Sequence, residues 1–222
     1  MNFVKEIAPK GILITGLDGG NRKTDLKEII IQREKLYYAP ISVTTCSPTA
    51  YGKKSPYYQL VTFPKFDKMI QSEELFEYIK LENDRWFGTP KKEHDLFEIN
   101  GKSPIYTLNY NGLESFCKKY GGPEKLKKHF TILSLMPILD ERATIMKLRG
   151  QIPLKEIHRR LGSAEYTQKN FFMYDDIAEK CIDASTNLIT SKTDLVPLAD
   201  AIIAHSKRLT EKLILPKNLV SR

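Results

Sequence analysis

A glycine turn, a cluster of cations and a threonine follow one another within "GILITGLDGGNRKT", Gly11 to Thr24. A strand-like run, Ile12 to Ile14, enters Gly16, Gly19 and Gly20, and helix-like sequence comes next. Such a loop cradles phosphate through backbone N–H groups and the next helix N-terminus. The motif G-x-x-x-x-G-K-[ST] adds a lysine for the β- and γ-phosphates and a hydroxyl for Mg²⁺. Here the corresponding positions hold Asn21, Arg22 and Lys23. Asn21 puts a side chain where backbone should approach the phosphates. Arg22 keeps the charge but is a planar fork rather than a compact ammonium. Lys23 repels a cation, and Asp18 adds a carboxylate to an anion loop. A one-residue insertion would instead bring Lys23 and Thr24 into the lysine and hydroxyl roles. The loop is suited to an anion and ill suited to Mg-ATP.

The elements that must hold this loop alternate between strand and helix, so the expected class is α/β with a parallel sheet. Gly11–Thr15 reads as the first strand and Thr24–Glu34 as the first helix. From Ile41 the texture changes. The runs "ISVTT" and "YYQLVTF" read as short strands, and "FDKMIQSEELFEYIKL" has helical spacing. "PIYTLNY" reads as a strand followed by a helix to Tyr120, and "HFTILSLM" as a buried strand. A helix starts at Asp140, and "RGQIP" interrupts it. Residues Leu154 to Asp183 read as mostly helical, "NLIT" as a last strand, and Leu195 to Leu213 as an amphipathic helix. The expected division is residues 1–40 as core with the altered loop, 41–95 as an inserted lobe and 96–140 as core. A lid at 141–165 comes next, then core and C-terminal helix at 166–222.

The 222 residues are 41% hydrophobic and 28% charged, as in an ordinary globular chain, with no apolar run long enough for a membrane span. A signal-peptide-like apolar region is not seen at the start. Cys46, Cys117 and Cys181 lack metal-ligand spacing and read as reduced thiols, which suggests a cytoplasmic protein. A net charge of +8 favours anionic partners. The densest basic stretch, Lys118 to Lys128, reads either as a patch or as a solvated helix face. His94, His129, His158 and His205 are isolated, so no catalytic histidine or metal site is assigned.

Four further segments, in order, carry a resemblance. "SVTTCSPTAYGKKSPYYQLV" is similar to the S-V-x-x-T-T-R-x-P-R-x-G-E-x-x-G-x-D-Y-x-F-V segment of guanylate kinases, and "EELFEYIKLENDRWFGTPK" to their E-F-x-E-Y segment. "YTLNYNG" lies where they have D-[IV]-D-x-Q-G, and "LRGQIPLKEIHRRL" resembles their lid over ATP. The resemblance covers roughly Gly11 to His205. It implies a P-loop three-layer core, an inserted GMP-binding-like lobe and a short helical lid. Its ungapped spacing up to Val61 puts Arg22, not Lys23, at the phosphate lysine.

The resemblance also implies a damaged acceptor site. Two phosphate-gripping arginines become Cys46 and Thr49, a glutamate becomes Gly52, and an aspartate becomes Tyr57. Tyr58 remains, Glu77 and Thr89 match the guanine-recognising residues, and Phe87 has lost a tyrosine hydroxyl. Thr107 and Asn109 replace both carboxylates associated with magnesium and guanine positioning. Tyr58, Glu77 and Thr89 have an alternative reading as packing, capping and turn residues. In the lid, Arg149, Arg159 and Arg160 are kept and Ile145 replaces an arginine.

The expected nucleotide-binding set is therefore Gly16, Gly19, Gly20, Arg22, Lys23, Thr24, Arg149, Arg159 and Arg160. The acceptor-site remnants are Tyr58, Glu77, Thr89 and Asn109. The expected function is a guanylate-kinase-like protein with lost or very weak activity that binds a protein or a nucleotide. One alternative is an active nucleoside monophosphate kinase using Mg-ATP, with Arg22 or Lys23 as phosphate cation and Lys53 or Lys54 reaching the acceptor. Another is a nucleic-acid-binding protein using Lys118 to Lys128.

Overall fold

A computed structural model describes residues 9–16, 22–46, 56–81, 84–135, 180–182 and 195–214. The first strand, β1 (Gly11–Gly16), is buried along its whole length. Burial on both faces explains its continuous apolar run, the usual texture of a parallel sheet. β2 (Tyr37–Tyr38), β7 (Ser103–Thr107), β8 (Phe130–Leu135) and β9 (Lys180–Ile182) join it in the order β2-β7-β1-β8-β9. Every pairing is parallel, with Ile12 opposite Ile105 on one side and Thr131 on the other.

Helices cover both faces. Ile12 and Ile14 point to one side and pack with Leu26, Ile29 and Ile30 of α1 (Arg22–Arg33) and Ala199 and Ile202 of the C-terminal helix α6 (Val196–Ile214). Leu13 points the other way, onto Leu113 and Phe116 of α4 (Tyr110–Tyr120) and Leu126 of α5 (Pro123–His129). The period-2 alternation of one strand thus feeds two cores. α4 ends at Gly121, whose φ of +75° closes the last turn, with the next amide donating back to Cys117.

The lobe is a four-stranded sheet, β4-β3-β6-β5, made of β3 (Ser42–Thr44), β4 (Tyr58–Leu60), β5 (Leu75–Leu81) and β6 (Arg85–Pro90). Its own small core of Val43, Val61, Phe66 and Leu75 lies under α2 (Phe63–Gln71) and Trp86. A further helix, α3 (Lys91–Asn100), leads back to β7.

Several elements differ from the sequence reading. The helix read through Lys80 and Leu81 stops at Gln71. Glu73 adopts a φ of +53° and its amide donates to Ile70, closing the helix. Leu75–Leu81 is then a strand, antiparallel to β6 from Leu75 opposite Pro90 to Leu81 opposite Arg85. Its β-branched and aromatic residues suit a half-buried ladder, and the partner strand supplies bonds that an isolated helix could not match. "YYQLVTF" pairs only over Tyr58–Leu60, and Phe63 already begins α2, with Pro64 in its first turn. Lys180–Ile182, read as helical, is an edge strand on β8. The first helix begins at Arg22, two residues earlier than expected. The lid and "NLIT" lie outside the described residues. None of the described helices is long and apolar enough to cross a membrane.

Candidate functional site between core and lobe

Ligands of parallel α/β sheets gather at the carboxyl ends of the strands. At that end β1 finishes on Gly16, with a φ of +122°. A Cβ there would lie 2.0 Å from the Leu135 carbonyl oxygen, so only glycine lets the chain turn off the sheet beside β8. In the first turn of α1, the Lys23 ammonium reaches back and donates to the Gly16 carbonyl at 3.0 Å and the Leu108 carbonyl at 3.2 Å. It therefore ties together the carboxyl ends of β1 and β7.

Beside this bridge a cavity of about 190 Å³ opens between the core and the lobe. Thr107, Leu108 and Asn109 line it from the end of β7, Ser42 from β3, Glu77 and Ile79 from β5, and Phe87 to Thr89 from β6. Lys27 enters from α1, with Tyr57 and Tyr58 across from it on the lobe side.

Glu77 and Thr89 face each other across the β5–β6 ladder. The Thr89 hydroxyl donates to Glu77 Oε1 at 2.8 Å, and both residues are buried. Burial raises the Glu77 carboxyl from 4.5 to about 7, against the Thr89 hydroxyl and the charge of Lys119, which pull it down. Near neutral pH this carboxyl can donate or accept a hydrogen bond. A register shift between Leu75 and Glu77 marks a bulge. It separates Leu75, which packs in the lobe core, from Glu77, which faces the cavity.

Lys27 is the one cation and Glu77 the one acid among the described lining residues. Lys27 sits next to Leu26, Ile29 and Ile30 and is only 4% exposed. Its ammonium lies 3.9 Å from the centre of the Tyr57 ring. Burial lowers its pKa from 10.5 to about 8, and nearby Glu28 offsets only part of this.

Tyr106 lines the back wall, and its hydroxyl lies 2.6 Å from His94 Nδ1. The Tyr120 hydroxyl is 3.2 Å from His94 Nε2, and Phe76 stacks on the imidazole at 3.6 Å between ring centres. Burial first, with Lys119 adding to it, lowers His94 to about 4 despite Asp95, so the ring is neutral at physiological pH. These contacts form a polar-aromatic brace behind the cavity.

The structure brings Tyr58, Glu77, Thr89 and Asn109 together in this one cavity. Tyr58 stands 39% exposed and packs edge-on against Phe87 at 5.9 Å. Asn109 also caps α4, accepting from the Gly112 amide at 2.9 Å. Gly16, Lys23 and Thr24 lie at the β1–α1 junction, as does the backbone of Arg22. Gly19, Gly20, Arg149, Arg159 and Arg160 lie outside the described residues. In the basic stretch, Lys118 pairs with Glu114 at 2.8 Å and Lys127 with Glu124 at 3.6 Å, which partly neutralises it. The sequence reading missed Lys27, Tyr106 and His94. Lys27 had a signal: it is four residues after Lys23 and so shares its helix face. The His94 brace has none, because its partners come from separate elements.

This architecture, a parallel core sheet between helices with a small mixed sheet appended, defines an α/β protein built like the P-loop nucleoside monophosphate kinases. In particular, the fold is that of a guanylate kinase. A crystal structure of guanylate kinase from Anaplasma phagocytophilum matches over 90% of this chain and 87% of its own, with a TM-score of 0.60 and 14% identity. In sequence the chain is 25% identical over 156 residues to guanylate kinase from Porphyromonas gingivalis, covering 70% of this chain and 80% of that one. It is 26% identical over 165 residues to the Bordetella pertussis guanylate kinase, covering 74% of each. No protein-family model matches the chain.

Proposed function

We propose that this chain is a guanylate-kinase-like binding protein that holds a purine nucleoside monophosphate in the cavity between core and lobe and has lost, or nearly lost, phosphoryl transfer. The supporting observation is the Lys23 ammonium, held by the carbonyls of Gly16 and Leu108 at the carboxyl ends of β1 and β7. A fixed cation there opposes a divalent metal by like-charge repulsion. Thr107 and Asn109 at the end of β7 carry no charge, and Asn109 is engaged as a helix cap. These residues do not fit Mg-ATP chemistry, and no transfer step is derived from them.

Phosphoryl transfer depends on positioning and charge neutralisation. Losing one preorganised electrostatic donor costs on the order of 100- to 1,000-fold in turnover. Several such groups are altered together here. Binding is better served: the Glu77–Thr89 pair offers a buried hydrogen-bonding edge, and Lys27 offers a cation.

Calorimetric titration with GMP, alongside an ADP-release assay against all common NMPs and dNMPs with Mg-ATP, tests the reading. Saturable GMP binding unaffected by Mg²⁺, without turnover at high protein concentration, is expected. Robust turnover abolished by Arg22→Ala would overturn it in favour of an active kinase. A second reading, protein binding, is favoured by Leu60, Phe63 and Tyr78, all exposed on the lobe. It gains if every nucleotide fails to bind.

A further inference from the structure

We propose that Lys27 is the anion anchor of the core–lobe cavity and binds the phosphate of the nucleoside monophosphate whose base meets Glu77 and Thr89. The inference rests on the nucleotide-binding reading above and adds the residue that recognises the charged end. Nothing in the glycine-loop motif points to this position, which lies a turn beyond the loop, inside α1.

Among the described residues, the charge on Lys27 is poorly compensated. A buried ammonium is costly unless it is paired with an anion or fully hydrogen-bonded. Lys27 is 4% exposed, yet among the described residues its one side-chain contact of that kind is the face of the Tyr57 ring. Ring contact compensates only part of lost hydration. Lys27 also lines the cavity, where an ammonium can donate to a guest.

The rest of the wall limits the guest. Among the described lining residues, one cation and one carboxyl set among aromatic, hydroxyl, amide and aliphatic groups suit a molecule with one anionic end and one flat hydrogen-bonding end. A nucleoside monophosphate has this form. Inorganic phosphate lacks the flat end, and a nucleoside lacks the charge.

Burial has already weakened the hold of Lys27 on its proton, and a dianion placed against it reverses that effect. Binding at alkaline pH must then take up a proton. The groups that bear on this titration are Glu28 on the same helix, Tyr57 and Tyr58 beside and within β4, Glu77 on β5 and Tyr106 on β7. Of these, Glu77 is the other group that titrates near neutrality, so it must be controlled.

The test titrates the whole protein and its Lys27→Met variant with GMP, guanosine and inorganic phosphate. The wild type is expected to bind GMP about 10- to 100-fold more tightly than guanosine, the range for a charge-assisted bond. In Lys27→Met that gap should close while guanosine affinity stays within about threefold, which also shows that the cavity is intact. Calorimetry of the wild type at pH 8.5 in buffers of different ionisation enthalpy should show uptake of between about half and one proton per GMP. The uptake should persist in Glu77→Gln and vanish in Lys27→Met. Equal affinity of the wild type for GMP and guanosine, or a gap that survives in Lys27→Met, overturns the Lys27 assignment and leaves the nucleotide-binding reading standing. Binding of neither GMP nor guanosine overturns both.

Discussion

Replacing Lys27 with methionine should make the unliganded protein more stable, although a charged group with a visible contact is lost. The fall of its pKa from 10.5 to about 8 means that the folded state disfavours the ammonium. At ~1.4 kcal/mol per tenfold, the cost is roughly 3 kcal/mol below pH 8. Methionine is of similar length and unbranched, so it can fill the same space without the charge. It forfeits the interaction with the Tyr57 ring, worth about 0.5–2 kcal/mol, and regains part of it through sulfur–aromatic contact. The net gain is about 1–3 kcal/mol, or roughly 3–10 °C in Tm for a domain of this size.

The sign with pH comes from linkage. Between about pH 8 and 10.5 the folded state has released the Lys27 proton while the unfolded chain still holds it. Wild-type stability therefore recovers its deficit as pH rises through this window. The advantage of Lys27→Met should be full at pH 7 and nearly gone at pH 10.5. Urea unfolding of both proteins at pH 7, 9 and 10.5 measures it. A variant no more stable at pH 7, or an advantage that does not shrink by pH 10.5, refutes the premise that a poorly compensated cation is buried there.

Glu77 titrates with the opposite consequence. Its folded pKa of about 7 lies above the unfolded 4.5, so stability from this group is lost as pH rises from about 4.5 to 7. Glu77→Gln retains an acceptor for the Thr89 hydroxyl and cannot ionise. It should gain up to roughly 3 kcal/mol on the wild type between pH 4.5 and 8, read from denaturant midpoints at the two values. Asn109→Ala removes the oxygen that accepts the Gly112 amide at the start of α4 and should cost about 1 kcal/mol in thermal unfolding, with β7 otherwise undisturbed.

Much of the fold was written locally. The run "GILIT" is apolar on both faces, so it announced a central parallel strand, and the apolar spacing of 195–213 announced the closing helix within one residue at each end. The segment Leu75–Leu81 was not legible. Its apolar residues fit helical spacing as well as alternation, and the left-handed Glu73 and the β6 partner, neither visible as a pattern, decided between them. Lys180–Ile182 obeys the same logic: three residues become a strand because the edge of β8 is there to pair with.

The site divides along the same line. Residue order gave a glycine turn followed by Asn21, Arg22 and Lys23, and the resemblance to guanylate kinases suggested Glu77, Thr89, Tyr58 and Asn109 as remnants of one site. Only the tertiary structure decided what those groups experience. The Lys23 ammonium is occupied by two carbonyls because β1 and β7 end side by side. The Glu77 carboxyl is raised to about 7 and the Lys27 ammonium lowered to about 8 because both are enclosed between core and lobe. A charge is a property of the residue, but the cost of keeping it depends on how much water the fold leaves around it, and that is set by distant segments packing together.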